Sequence, residues 1–503
     1  MTTFAIPDNF AFSGDWWVPH DAQTQAVREP VSVAGVLTWK AQRATLELHG
    51  ALTPLRGVIF AGDEQLYGAI HGTTTQSQLI TVLNAQRFGS PMSFGRAGVR
   101  ETEKVGSSWV VIGAHVTSES QFTEIEARVP GLALWLGRTG GEQTVQLKTA
   151  DSPPAVMYAF RGLPEDTFEV VSLPGVIGFG IGRDYSGNID SDVSIRTSGY
   201  LRIRPAEPKS LKWLSDQLNR TTTLLALISG SPMAPDRISV KVSPDDQDCE
   251  VLVALREAKY CACKNAREFF MVRPDMQVDL GVVLSKWFDL YDSLAMSCQL
   301  ALSVLYSENL WLHVEFLSLM QALEGLHRAT MPGAYQSKEN YEPTRKLLAD
   351  TIPPSIDKDH RDALKSKIKY GYEFSLNKRL ALLASRLNQP IREHLLGNQG
   401  SVPRSWIDTR NYYTHWDETE RNLVLDGIGM HRAGVRMKLL LRALYLDVMG
   451  IPPSSVLRSL GNQHCDESAY LIQLNNMEHR KKNPGSSAGA LMRIDVKDNS
   501  TEP

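Results

Sequence analysis

Residues 430–448 read MHRAGVRMKLLLRALYLDV. Met430, Gly434, Met437, Leu441, Leu444 and Val448 recur at spacings of 4, 3, 4, 3 and 4, the period that lines one side of an α-helix. Gly450 and Pro452 then stop it. Upstream, Leu312, Phe316, Leu319, Leu323 and Leu326 carry a second stripe at 4, 3, 4 and 3. A longer helix is expected from Leu280 to Tyr306, and another helical region from Arg361 to Leu387, behind the breaker Pro353-Pro354. Helices with one apolar stripe each must bury those stripes against one another, so an α-helical bundle is expected over residues 278–455.

The first half has a different period. Ile125, Ala127 and Val129 alternate with polar partners, as do Leu201-Arg202-Ile203-Arg204 before Pro205. Val31-Ser32-Val33 leads to an expected turn at Gly35, and Leu46-Glu47-Leu48 ends at Gly50. Alternation puts one face of each strand on a core, and frequent Gly and Pro suit an antiparallel sandwich or barrel. Trp16, Trp17, Trp39 and Trp135 are expected to pack in the core or on the sheet surface. Leu211, Leu214, Leu218, Leu225 and Ile228 then mark a helix that Gly230 and Pro232 would stop. The expected fold class is α+β multidomain: an antiparallel β-rich N-terminal domain over residues 1–240 that ends in a helix, a mixed connecting segment at 241–277, the bundle, and a C-terminal tail at 456–503. The end of that tail is polar and rich in Gly and Ser, and is expected to be disordered.

Composition narrows the function classes. The 503 residues hold 53 Lys+Arg against 56 Asp+Glu, a net charge of −3. That excludes a wholly basic nucleic-acid coat and leaves room for a local basic site. The length allows about three domains. Five cysteines, few and odd in number, make no disulfide framework and favour a reducing compartment. MTTFAIPDNFAFSGDWW lacks the basic and apolar regions of a signal peptide. No apolar run approaches the ~20 residues of a membrane span. The expectation is a cytoplasmic protein with no membrane partner.

Chemistry concentrates between the last two helical regions, at SWIDTRNYYTH from Ser405 to His415. Ser405, three residues before Asp408, resembles a helix N-cap. Asn411 and His415, four apart, then share a helix face, and the long Arg410 side chain reaches the same neighbourhood. A guanidinium, an amide and an imidazole in one place suit cleavage of RNA without a metal or other cofactor, because the 2′-hydroxyl is a built-in nucleophile. An imidazole can take its proton or protonate the departing 5′-oxygen. A guanidinium can grip the phosphate through two parallel hydrogen bonds. On spacing alone, a surface helix with a solvated Arg and a satisfied His remains open.

Arg410-Asn411-x-x-x-His415 resembles the RNxxxH signature of HEPN-domain ribonucleases. WFDLY from Trp287 to Tyr291, FLSLMQALEGLHR from Phe316 to Arg328 and YGYEFSLNKRL from Tyr370 to Leu380 resemble successive parts of the ApeA-like HEPN branch. The strand-rich half, with Gly14-Asp15-Trp16 and the helix near Leu211, is similar to the N-terminal domain paired with it in ApeA anti-phage defence proteins. The resemblance implies a helical bundle that forms a homodimer or higher oligomer, with motif helices of two chains making one composite site. It further implies a metal-independent endoribonuclease acting in abortive defence, which leaves 2′,3′-cyclic phosphate and 5′-hydroxyl ends. Arg410, Asn411 and His415 become the catalytic candidates. Glu324 matches the Glu of the family's Leu-Glu pattern, as a supporting residue that orients a motif side chain or as a plain surface carboxylate.

The expected partners are RNA, with transfer RNA one admissible substrate, a second copy of the chain, and a trigger of phage origin; the β-rich half is expected to sense or restrain. Residues 341–380 hold nine basic against six acidic side chains. Lys365, Lys367 and Lys369 there would contact RNA phosphates or form a solvated helix face. Tyr412 and Tyr413 would stack on bases or pack within the bundle.

Other readings compete. Pro244-Asp245 followed by Glu257-Ala258-Lys259 mimics the PD-ExK arrangement of metal-dependent nucleases, although the pattern is short and permissive. Cys249, Cys261 and Cys263 lack the paired C-x-x-C spacing of a zinc site, and ordinary thiols are the simpler reading. His313-x-Glu315 lacks the downstream cysteines of zinc deaminases. A non-catalytic RNA- or protein-binding HEPN scaffold is the alternative outside the enzyme class.

Overall fold

The computed structural model describes residues 9–19, 32–40, 43–52, 66–89, 92–95, 98–138, 141–146, 155–188, 192–253, 260–307, 309–397, 400–416 and 418–482. The chain divides into two compact units, residues 1–222 with 232–262, and residues 223–231 with 263–503.

The first unit is built from the alternating segments. Strands Phe10–Trp17, Val33–Lys40, Arg43–Leu48, Leu66–Thr74, Leu79–Gly89 and Glu103–Ser107 pair antiparallel in a closed ring. Closure leaves no free edge among these six strands. Their inward side chains, among them Trp16, Leu37, Leu46, Ile70, Val82 and Val105, form the barrel core. The Trp16 indole N–H donates to the Gly35 carbonyl at 3.2 Å. Gly72 makes room for that ring, since a Cβ there would lie 2.2 Å from it. Gly35 is not a turn. It lies inside strand Val33–Lys40, where a Cβ would come within 2.6 Å of the Glu47 carbonyl oxygen, so this glycine serves close strand approach. Trp16, Trp39 and Trp135 are buried. Trp17 is half-buried, edge-on to His115.

From strand Leu79–Gly89 the sheet continues through Trp109–Ile112, Gln247–Val253, Arg237–Val242, Gln121–Arg128, Asp192–Pro205, Leu173–Asn188 and Asp166–Val170. Strands Arg237–Val242 and Gln247–Val253 therefore sit inside the sheet, although the sequence places them at the end of the β-rich domain and in a connecting segment. Helix α1 (Leu132–Leu136) lies against strand Asp192–Pro205 at Gly199, where a Cβ would meet Leu132 at 2.6 Å. Helix α2 (Leu211–Ser229) ends at Gly230 with φ 71°, and its residues from Thr223 on belong to the second unit.

The second unit is helical. It comprises α3 (Leu280–Tyr306), α4 (Leu312–Thr330), α5 (Lys338–Asp350), α6 (Lys358–Lys369), α7 (Leu376–Arg386), α8 (Gln389–Leu396), α9 (Arg404–His415), α10 (Gly427–Val448), α11 (Pro453–Leu460) and α12 (Asp466–Lys482). Asp279, Ser337, Asp357, Ser375, Asn388 and Asp426 each accept a backbone N–H at a helix start, satisfying donors the helix leaves unpaired. The region from Arg361 to Leu387 is two helices, because a turn around Tyr370-Gly371 intervenes and Ser375 caps the second.

Helix α10 is central, and so it is buried on more than its stripe: Val435, Leu439, Leu440 and Leu446 are buried too. Two of its arginines are also buried and need counter-charges. Arg436 donates to the Leu395 carbonyl and to Asn475 and Glu478. Arg442 donates to Glu467 at 2.6 Å. Burial raises the Glu467 carboxyl, but Arg442 and Lys438 outweigh it and hold that carboxyl below its ordinary value. Asn475, Glu478 and Glu467 lie on α12, with Leu471 and Leu474 buried on the same helix. Helices α11 and α12 thus carry the helical unit on to Lys482, across residues from 456 that the sequence assigns to a tail; the polar end from 483 lies outside the described residues. No helix of the described residues is long and apolar enough to cross a membrane.

Candidate active site

Helix α9 starts after Pro403, whose extended φ of −62° and ψ of 134° turn the chain inward. Ser405 is not its N-cap but lies inside the first turn. Asp408 accepts from the Arg404 Nε at 2.9 Å rather than completing a capping box. Trp406, Ile407, Asp408 and Thr409 are buried, and the helix packs on α4 and α7. The Thr409 hydroxyl accepts the Leu425 N–H at 2.9 Å and fixes the chain leaving the helix. The end is set by Trp416, in the left-handed region at φ 55°, whose N–H donates to the Tyr412 carbonyl at 2.7 Å.

That frame presents the motif. Arg410 and Asn411 are half-buried, and Arg410 donates to Asn411 Oδ1 at 3.3 Å. His415, in the last turn, is exposed. Glu324, on α4, lies 3.8 Å from the Arg410 guanidinium. The same carboxylate accepts from the Arg328 Nη2 at 2.9 Å. Arg328 also approaches Glu373 at 3.7 Å, and Glu373 pairs with the buried Arg379 at 3.1 Å. Arg379 further donates to the Gly333 and Phe374 carbonyls and faces His327 Nδ1 at 3.4 Å. Charges of alternating sign thus run from Arg410 through Glu324, Arg328 and Glu373 to Arg379. Burial, then Arg379 and Arg328, push the His327 imidazole below its ordinary value against the pull of Glu324.

The structure joins Arg410, Asn411 and Glu324, with His415 on the same helix. Tyr412 is half-buried in ring contact with Tyr413 and Trp416. Lys365, Lys367 and Lys369 are exposed on α6, which packs on α5. Lys365 and Lys369 share a face while Lys367 points elsewhere, and Lys369 sits 5.4 Å over the Tyr370 ring. None of the three is placed against α9 by an ion pair or ring contact. Sequence reasoning missed Arg328, although its position four residues after Glu324 signals an i,i+4 ion pair. It also missed the ring contact of His313 with Tyr413, which joins residues a hundred positions apart and has no local signal.

The metal-based readings find these placements. Pro244 and Asp245 lie between two paired strands, and Glu257, Ala258 and Lys259 lie outside the described residues. Among the described residues no group of three or more His, Cys, Asp or Glu side chains is placed to hold a metal ion. Burial pushes the Cys249 thiol up to about 11. Glu315 pairs with Lys438 at 2.7 Å.

Comparison with known families matches the chain in two places. The model described as ApeA N-terminal domain 1 matches residues 11–287. The model described as Apea-like HEPN matches residues 317–454, which include Glu324, Arg410, Asn411 and His415. Among curated proteins and solved structures, no match is found.

Proposed function

The chain belongs to the ApeA-like HEPN family of nuclease-type anti-phage defence proteins, and from that premise we propose that it is a metal-independent endoribonuclease centred on Arg410, Asn411 and His415. The observation that carries this reading is the joined Arg410–Asn411–Glu324 group on the packed helices α4 and α9, with an exposed imidazole on the last turn of α9. An acid–base cut of RNA needs an anchored cation for the phosphate and an imidazole free to meet substrate.

In the proposed reaction a base removes the 2′-hydroxyl proton and the 2′-oxygen attacks phosphorus. The P–O2′ bond forms as the P–O5′ bond breaks, and an acid returns a proton to the 5′-oxygen. The products are a 2′,3′-cyclic phosphate and a 5′-hydroxyl. One chain supplies one motif imidazole, whereas in-line cleavage uses both a base and an acid. A second chain related by a two-fold axis brings the other imidazole and a second Arg410 to the same phosphate. Arg410 offsets the charge that grows on the phosphoryl oxygens, Asn411 orients the scissile group, and Glu324 positions Arg410. The substrate class is RNA, with transfer RNA one candidate, and the first unit restrains the nuclease until a phage-derived trigger arrives.

The test is cleavage of total RNA in EDTA by the full-length protein and by His415→Ala. Cutting that survives the chelator and falls at least about a hundredfold in the variant is expected, from the usual worth of general acid–base catalysis. Cutting that needs Mg²⁺ would favour the PD-ExK reading, and RNA binding with no cutting in any buffer would favour a scaffold.

A further inference from the structure

Beside the motif lies a run of aromatic rings that the cleavage chemistry does not use. Trp311, the residue before the first turn of α4, contacts His313. His313 stacks on Tyr413 with centroids 5.6 Å apart and planes 13° from parallel. Tyr413 and Tyr412 both meet Trp416 at about 6 Å, the first edge-on and the second tilted. Trp416 directly follows His415 in the chain.

Two of these rings are unusual for what they leave open. Trp311 is 77% exposed and Trp416 68% exposed, against the usual tendency to bury so much apolar surface. Neither contact of Trp416 is a parallel stack. Its backbone stands at φ 55° and ψ 37°, a conformation that L side chains avoid and that glycine normally supplies at a helix end. A bulky ring held in a costly conformation next to the proposed imidazole points to use rather than packing.

Charge selects the occupant. Arg410 and Arg328 share the single carboxylate of Glu324, and Arg328 reaches Glu373 only at 3.7 Å. Of these two, Arg410 lies six residues before Trp416, about 9 Å along the axis of α9, so one cationic group stands within a nucleotide's reach of that exposed ring. A polyanion that carries flat faces of its own meets both features. We propose that Trp416, extended by Tyr413, His313 and Trp311, is a stacking shelf for an unpaired base of single-stranded RNA next to the scissile phosphate. This rests on the ribonuclease reading and adds a specificity determinant to it: the substrate must offer an unstacked base beside the cut.

The shelf is tested by binding, separately from cleavage. Full-length His415→Ala protein is titrated onto fluorescein-labelled oligoadenylate and onto an abasic ribose–phosphate oligomer of equal length. The titrations are repeated with Trp416→Gly and with Trp416→Phe added. Glycine suits the backbone there, so loss of the ring is not confounded by strain, and light scattering follows the assembly. Oligoadenylate affinity should fall about tenfold or more in the glycine variant, stay largely intact in the phenylalanine variant, and leave abasic binding unchanged. Equal oligoadenylate affinity in the glycine variant, equal loss for both oligomers, or no oligoadenylate binding by the parent would overturn the proposal. So would a change in oligomeric mass, which would assign the ring to a contact between copies of the chain. Failure of the ribonuclease reading shows elsewhere, as RNA left intact by the wild-type protein.

Discussion

Glu324 serves two guanidiniums, and beside the Arg379 end of its charge chain sits the fully buried His327, whose Nε2 has no hydrogen-bond partner among the described residues. A cation there would lack compensation, so the folded bundle holds this imidazole neutral. His394 is held the same way, chiefly by burial. Both folded values lie below the ordinary 6.5. As pH falls through that value the unfolded chain takes up protons that the folded chain refuses. This contribution to stability is therefore complete above 6.5 and declines below it. Thermal unfolding followed by helical circular dichroism should show a midpoint that drops between about pH 7 and about pH 5.5, a window above most carboxylate titrations. A midpoint that is flat or rises on acidification would contradict the assignment of neutral, buried imidazoles.

At the scale of elements, the barrel depends on one close fit. The Trp16 ring occupies the space over Gly72. Gly72→Ala must displace ring or strand, with an expected cost of about 1–3 kcal/mol from overpacking. Urea unfolding monitored by tryptophan fluorescence reads it, and an unchanged transition would mean that Trp16 does not wedge the barrel. The helices show what was legible in the chain. The spacings before Thr330 and Val448 are local, and they locate α4 and α10 closely. The motif on α9 is legible for the same reason, since Arg410, Asn411 and His415 lie within two turns. Ring closure of the six strands is set by pairings between distant segments, and an alternating pattern shows a face without naming its partner. Burial of α10 beyond its stripe, pairing of Arg442 with Glu467 and the meeting of Glu324 with Arg410 are likewise products of packing. Gly35 misleads because glycine marks both turns and close strand approach.

At the scale of the whole molecule, the two units are interleaved in the chain. A cut at residue 240, the boundary that the sequence suggests, would divide strand Arg237–Val242 and leave Thr223–Ser231 off the bundle. Phe270 donates its N–H to the Ser229 carbonyl at 2.7 Å, so that short segment is part of the helical unit. The Cys263 thiol meets the Ser231 hydroxyl at 3.6 Å, so residues 223–231 can be joined directly to 263–503. If the first unit only restrains, this fragment should fold and cut RNA without a trigger. A folded, dimeric fragment that cuts nothing would make the first unit part of the site.

The proposed cut is made by RNA's own 2′-hydroxyl between paired motif helices, and it leaves its signature in the chemistry of the new ends. Products of total RNA digested in EDTA should carry 2′,3′-cyclic phosphates and 5′-hydroxyls, and should fall at least about a hundredfold with His415→Ala. Ends bearing 3′-hydroxyls and 5′-phosphates, or cyclic ends made at an undiminished rate by a folded His415→Ala protein, would contradict it.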